Sequence, residues 1–379
     1  VQKLVQSAFA GKPEDIISQS VAKALYGEVS PYSATRLERF AACAFAHFLQ
    51  YGMKLTERVE YEFKPMDMGN VMHEALESFA EEVRKRGMKW TELTEQERNE
   101  IADRCLDNIV ADYGNTVLKS SARNEYMIER TRRILRRTVW ALQKQLEQGE
   151  FQPEGFEVTF GGGRIDRVDI MEDQNKVYVK VIDYKTGNTS FDLVYLYHGL
   201  QLQLMIYLDG ALRVEQKKYP DKEIIPAGVF YYNIKDPMIQ EKIDADVEAV
   251  SAGLMKELKM NGLVQADPEL VYRMDSSLGS IPVAFNKDGS FRKNSSVADR
   301  TQFAVLGRYV RTKIEKIRSS ILEGDAEVSP YELGKKNACT YCPYMTVCGF
   351  DRRLSGYEFR RLKNFSDEEL WKAFDREAE

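Results

Sequence analysis

The stretches 156-FEVTFGGGRIDRVDI-170 and 176-KVYVKVIDYKTG-187 decide the fold. In both, apolar and polar residues alternate with period two, the spacing that sends successive side chains to opposite faces of a strand. The first run breaks at Gly161 to Gly163 and resumes, as two paired strands joined by a glycine turn would. The second is rich in β-branched residues and ends in Lys-Thr-Gly. Further along, 197-YHGLQLQLMIYLDGALRVE-215 reads as a helix and 226-PAGVFYYNI-234 as another strand. Three strands, a helix and a further strand predict a small mixed sheet.

Around this core the period is helical. In 32-YSATRLERFAACAFAHFLQYGMKL-55, Ser33 is placed to cap, and Leu37, Phe40, Ala41, Phe45, Phe48 and Leu49 recur at three and four residues. One continuous helix with Cys43 in its middle is expected. Residues 68–87, 93–113 and 121–149 predict three more, the first with His73 on its first or second turn, and residues 1–30 show a weak helical pattern. Beyond the strands, 281-IPVAFNKDGSFRK-293 reads as an Asp-Gly hairpin and 297–324 as a long helix closed by Gly324. The fold class is therefore α/β (α+β), a small mixed central β-sheet wrapped by helices.

The 379 residues, 43% of them apolar, suffice for a large core. No apolar run approaches the ~20 residues of a membrane span, and the N-terminus does not resemble a secretory signal, so a soluble intracellular protein is expected. A formal charge of −5 argues against a globally basic nucleic-acid binder. Any such contact must rely on a local patch or on metal ions. The start at Val1 and the charged ending 366-SDEELWKAFDREAE-379 suggest a piece of something larger.

The chemistry lies on the strands. Asp166 ends Gly-Arg-Ile-Asp, and Asp183 and Lys185 occupy alternate positions of Ile-Asp-Tyr-Lys, hence one face of their strand. Two aspartates on adjacent strands can share Mg²⁺ or Mn²⁺ through oxygen ligands, and a lysine beside them can orient water or stabilise charge on a phosphate. A lone Asp-x-Lys is as readily a solvated strand edge. In order along the chain, however, Gly-x-x-x-His (Gly69, His73), Gly-Arg-Ile-Asp (Asp166), Ile-Asp-Tyr-Lys (Asp183, Lys185) and Gln-x-x-x-Tyr (Gln203, Tyr207) together resemble the RecB-type branch of the PD-(D/E)xK nucleases. The resemblance implies that His73, Asp166, Asp183 and the carbonyl of Tyr184 hold the catalytic cation and that Lys185 helps to activate water. Gln203 and Tyr207 would support the site and the nucleic-acid strand. Gln201 competes with Gln203, but only Gln203 lies four residues before Tyr207, on one helix face with it. Glu157 is a weaker candidate, with pairing to an arginine as its alternative.

Five cysteines without secretory context suggest reduced thiols or metal ligands. Cys339, Cys342 and Cys348 cluster in 339-CTYCPYMTVCGFD-351, and Cys43, 296 residues before Cys339, offers a fourth thiolate. Ligand chemistry alone admits Zn²⁺ or a [4Fe-4S] cluster. The resemblance, to the iron-sulfur subset of these nucleases, favours the cluster, although Ala44 stands where relatives often carry proline. Such a link would clasp the domain ends, and closing so long a loop in the unfolded chain costs on the order of 4 to 5 kcal/mol. His47 could in principle ligate zinc but reads as packing beside the site, and Cys105 as a buried apolar residue.

Over residues 30 to 355 the resemblance is to the nuclease domains of AddB-type helicase-nuclease subunits. It divides the chain into an N-terminal linker or helix (1–30), the nuclease domain with its iron-sulfur clasp (31–355) and a helical tail (356–379). It implies cleavage of single-stranded DNA, the 5′-terminated strand, during break resection for recombination, with an AddA-type partner in the bacterial cytoplasm at the nucleoid. No G-x-x-x-x-G-K-[ST] loop is present in this chain, so no ATPase is assigned to it. Arg132, Arg133, Arg136 and Arg137, with Tyr197 near the active-site helix, are candidate DNA contacts, salt bridges being the alternative for the arginines. Two other readings remain: a stand-alone iron-sulfur exonuclease of the CRISPR-adaptation type, and a non-enzymatic zinc-bound DNA-binding module.

Overall fold

In the computed structural model, which describes residues 16–27, 33–56, 65–112, 121–161, 163–240 and 246–378, the alternating runs form one sheet. Strands β1 (Gln152–Phe160), β2 (Gly163–Asp173) and β3 (Lys176–Lys185) are successive antiparallel neighbours. Strand β4 (Glu223–Asn233) lies parallel to β3, β5 (Asn261–Gln265) antiparallel to β4, and β6 (Val297–Ala298) parallel to β5, in the order β1-β2-β3-β4-β5-β6. Gly162, in the expected turn between β1 and β2, lies outside the described residues, as do residues 1–15, 28–30 and 113 of the expected N-terminal and third helices.

The helices follow from what the sheet must bury. In chain order they are α1 (Gln19–Tyr26), α2 (Ala34–Ala42), α3 (Ala44–His47), α4 (Pro65–Lys85), α5 (Glu95–Asp112), α6 (Ala122–Glu147), α7 (Leu193–Tyr197), α8 (Gln203–Lys218), α9 (Val247–Glu257), α10 (Pro268–Met274), α11 (Arg300–Glu323), α12 (Met345–Cys348) and α13 (Asp367–Ala378). On one face, Met72, Leu76 and Phe79 of α4 and Leu135 and Leu142 of α6 cover Ile182, Tyr184, Phe230 and Tyr232. On the other, Leu204 and Leu208 of α8 and Leu306 and Tyr309 of α11 cover Val179, Val181, Val229 and Tyr231. Burial on both faces is why β3 reads as a nearly unbroken apolar run. Helix α8 lies in the crossover that a parallel β3–β4 pair requires. Gly262 marks the tightest strand approach, since a Cβ there would sit 1.9 Å from the Val229 carbonyl oxygen.

Inside the first face, Asp169 on β2 is fully buried and accepts from Arg167 Nε at 2.6 Å and Lys180 Nζ at 2.9 Å. A charge so enclosed is tolerable only when paired in this way. The tail helix α13 is also part of the packing: Phe374 is fully buried and meets Tyr309 edge-on at 4.8 Å. No described helix is long and apolar enough to cross a membrane.

The structure corrects three local expectations. The helix over 32–55 is broken at Cys43, which is extended (φ −166°, ψ 118°) between α2 and α3, and the chain then continues as a π turn over Phe48–Gly52. Apolar periodicity resumes in phase after the break, so the pattern hides it. His73 lies deeper in its helix than expected, because α4 begins at Pro65. The 281–293 segment is a turn rather than a regular hairpin. The Asn286 amide donates to the Ser290 carbonyl at 2.8 Å, Gly289 takes φ 83°, and a single bridge joins Phe285 to Phe291 in place of a ladder. Helix α11 does end at Gly324, in the left-handed conformation (φ 93°).

Candidate active site

The register β2–β3 pairs Arg167 with Ile182, so Asp166 and Asp183 flank the end of one ladder. Asp166 Oδ2 accepts from the Tyr184 amide at 2.7 Å and lies 3.3 Å from His73 Nδ1 of α4. Glu157 of β1 joins them, with Oε1 3.7 Å from the same His73 nitrogen. One ligand atom from each of His73, Glu157 and Asp166 lies within 4.8 Å of the others, a spacing that suits a single cation. Glu157 adopts a left-handed backbone (φ 49°), uncommon for a side chain of its size, and its other oxygen is paired with Arg164. The carboxylate therefore serves both the arginine and the histidine side.

A second chain of contacts adjoins the first. Asp183, 1% exposed, holds Lys185 Nζ at 2.5 Å, and Lys185 also donates to Gln203 Oε1 at 2.7 Å. Gln203 Nε2 in turn donates to the Tyr207 hydroxyl at 2.8 Å, across one turn of α8. Gln201 points elsewhere, accepting from the Asp192 amide at 3.0 Å and donating to the Ser190 carbonyl at 2.9 Å. Two backbone amides at the start of α8, those of Leu202 and Gln203, donate to Glu38 Oε1 of α2 at 2.7 and 2.9 Å.

Electrostatically this is a site short of positive charge. Burial, then the neighbouring Asp166, pushes the Asp183 carboxyl up to about 7, with Lys185 opposing. Burial would lower His73, but its hydrogen bonds to Asp166 and Glu157 prevail and raise it to about 10. Burial also raises Glu38 to about 7 despite its two amide donors. The site thus favours the protonated form of each of these groups.

The cysteines meet at the far end of α2. Cys43, Cys339, Cys342 and Cys348 line one small pocket with Phe45, Ala46, Tyr344 and Met345. Burial first, then the charges of Cys43, Cys342 and Cys348, pushes the Cys339 thiol up to about 12. Arg39 Nη2 donates to Cys342 Sγ at 3.7 Å, and the Phe350 amide to Cys348 Sγ at 3.5 Å. The loop that carries three of the cysteines is anchored by a small sheet, β8 (Lys336–Asn337), β7 (Tyr331–Leu333) and β9 (Arg360–Arg361). His47 is fully buried and accepts from Arg36 Nε at 3.2 Å, and Cys105, on α5, is buried in the core that α5 shares with α4.

Each of the four arginines considered as a DNA contact lies beside a carboxylate. Arg132 meets Asp107 at 2.7 Å, Arg133 meets Asp236 at 2.5 Å, Arg136 meets Asp103 at 2.8 Å, and Arg137 lies 3.8 Å from Asp236. These guanidiniums are partnered by carboxylates. Tyr197, expected to stack on bases, is instead 8% exposed, because Tyr309, Phe365 and Phe374 enclose its ring. Sequence reading misses Glu38 altogether, its only signal being a charged residue among the apolar positions of α2.

A family model described as the PD-(D/E)XK nuclease superfamily matches residues 31–349. The chain is 42% identical to an ATP-dependent helicase/deoxyribonuclease subunit of Lachnoclostridium phytofermentans, over 100% of this chain and 34% of that protein. It is 34% identical to the protein of the same description in Thermoanaerobacter pseudethanolicus, over 100% of this chain and 35% of the relative. The relative in Clostridium acetobutylicum is 35% identical over 96% of this chain and 33% of its own length. The chain thus spans about a third of the length of the curated relatives it matches.

Proposed function

From the premise that this chain belongs to the PD-(D/E)XK nuclease superfamily, we propose that it hydrolyses phosphodiester bonds of DNA with a divalent cation, Mg²⁺ or Mn²⁺. The observation that carries the reading is the convergence of His73, Glu157 and Asp166 within 4.8 Å, beside the Asp183–Lys185 pair. Oxygen and imidazole donors at that spacing fit such an ion. His73, Asp166, Asp183 and the Tyr184 carbonyl would hold it, with Glu157 at hand. When bound, the ion supplies charge neutralisation at the phosphate and a more acidic water. Lys185, steadied between Asp183 and Gln203, offers its ammonium to the attacking water and the phosphate oxygens. Gln203 and Tyr207 keep that ammonium in place.

The substrate is single-stranded DNA, the 5′-terminated strand, and the setting is break resection within a helicase-nuclease. The description of the relatives as helicase/deoxyribonuclease subunits supports a deoxyribonuclease working beside a helicase; the single strand, its 5′ end and an AddA-type partner rest on the motif resemblance alone. The cysteine pocket holds a [4Fe-4S] cluster. Its support is that four cysteines from both ends of the domain line one pocket, flanked by Arg39. The test of function is cleavage of labelled single-stranded and duplex DNA with Mg²⁺ and with EDTA. Magnesium-dependent shortening of the single strand is expected, and no cleavage with any divalent cation refutes the reading.

Cation binding should release protons. Because His73 and Asp183 are both held in their protonated forms by their surroundings, His73 to about 10 and Asp183 to about 7, a cation that takes them as ligands at pH 7 displaces protons, and binding tightens as pH rises through 7. Calorimetry in buffers of different ionisation enthalpy measures this. Zero proton release would contradict the ligand set.

A further inference from the structure

Helix α8 starts with Gln203, and its N-cap, Leu202, has no side chain able to cap it. The missing acceptor arrives from another helix. Glu38 of α2 takes both the Leu202 and Gln203 amides, at 2.7 and 2.9 Å. A carboxylate at that place satisfies two orphan donors and faces the positive end of the helix dipole. On the site side, the same Gln203 accepts from Lys185 at 2.7 Å. On the other side, the next residue of α2, Arg39, reaches Cys342 Sγ at 3.7 Å and lies over the Tyr344 ring, and α2 ends at Cys43 itself. One nine-residue helix therefore touches both the support of the lysine and the wall of the cysteine pocket.

We propose that Glu38 is a positioning residue for cleavage. By capping α8 from α2 it sets Gln203 and, through it, the ammonium of Lys185, so that the lysine's placement depends on how α2 is seated at the cysteine pocket. The inference rests on the nuclease reading above. Glu38 feels the charges of Lys185 and Asp183, but the hydrogen bonds by which it reaches the site run through the start of α8, at Leu202 and Gln203. A displacement of about 1 Å in a reacting group is enough to cost on the order of a hundredfold in rate.

The test is a double-mutant cycle read by steady-state cleavage of single-stranded DNA with Mg²⁺. Glu38→Ala is expected to lower kcat about thirtyfold while KM stays within about twofold. In a Gln203→Ala background the same change is expected to cost less than about threefold, since the residue it acts through is gone. Glu38→Gln keeps an acceptor but loses the charge, and is expected to lose about threefold in kcat, again only when Gln203 is present. If the alanine variant does not fold, the glutamine cycle decides. Equal losses with and without Gln203, or no loss in either variant, overturn the proposal. A wild-type protein that does not cut refutes the nuclease reading instead, so the two failures are told apart.

Discussion

Asp183→Asn is expected to abolish cleavage and, in the same protein, to raise its stability without metal. The loss follows from removing a proposed anionic ligand and the partner of Lys185, and about a thousandfold or more in kcat is expected. The gain follows from linkage. The folded-state pKa of Asp183, about 7, lies above the ordinary 3.8, so the native state holds the proton more tightly than the unfolded chain does. Its contribution to stability is therefore lost as pH rises from about 4 through 7, and above 7 the native state carries an ionised buried carboxylate. Asparagine carries none. In EDTA the variant should melt higher than wild type at pH 8, by a margin that shrinks toward pH 5. Undiminished cleavage removes the catalytic assignment, and a lower melting temperature at pH 8 contradicts the electrostatic account.

Cys342→Ala should have the largest effect on stability. If the four thiols hold a cluster, its loss frees a loop of nearly the whole domain, worth on the order of 5 kcal/mol in the entropic cross-link model. For a chain of this length that corresponds to about 6 °C in melting temperature. Iron content and visible absorption should vanish together, while Cys105→Ala leaves both intact. Protein contacts also bridge the two ends, including the Phe45 amide to the Glu327 carbonyl at 2.9 Å and the Tyr344 hydroxyl to the Leu55 carbonyl at 3.0 Å. They explain why a destabilised fold is expected rather than none. A colourless wild-type protein with stoichiometric zinc contradicts the cluster.

The core of the site is legible in the sequence because its residues sit on elements with clean periods. Period two places Asp183 and Lys185 on one strand face, and the four-residue step puts Gln203 and Tyr207 on one helix face. What escapes depends on packing between distant segments. Glu38 becomes a cap only because α2 lies across the start of α8, and no local pattern announces a cap supplied from 164 residues away. Tyr197 reads as an exposed ring because tail residue Phe374, which closes over it, lies far along the chain. The arginines of α6 meet acids of α5 and Asp236, the salt-bridged alternative that the sequence leaves open, because the partners lie on other segments. The break at Cys43 lacks the usual proline and lies within an uninterrupted apolar pattern.

The central claim is that His73, Asp166 and Asp183 form the cation site of a nuclease. Anomalous diffraction from crystals grown with Mn²⁺ tests it most directly. One peak within bonding distance of His73 Nδ1 and carboxylate oxygens of Asp166 and Asp183 is the predicted result. Full manganese occupancy elsewhere, with none between these residues, would contradict it.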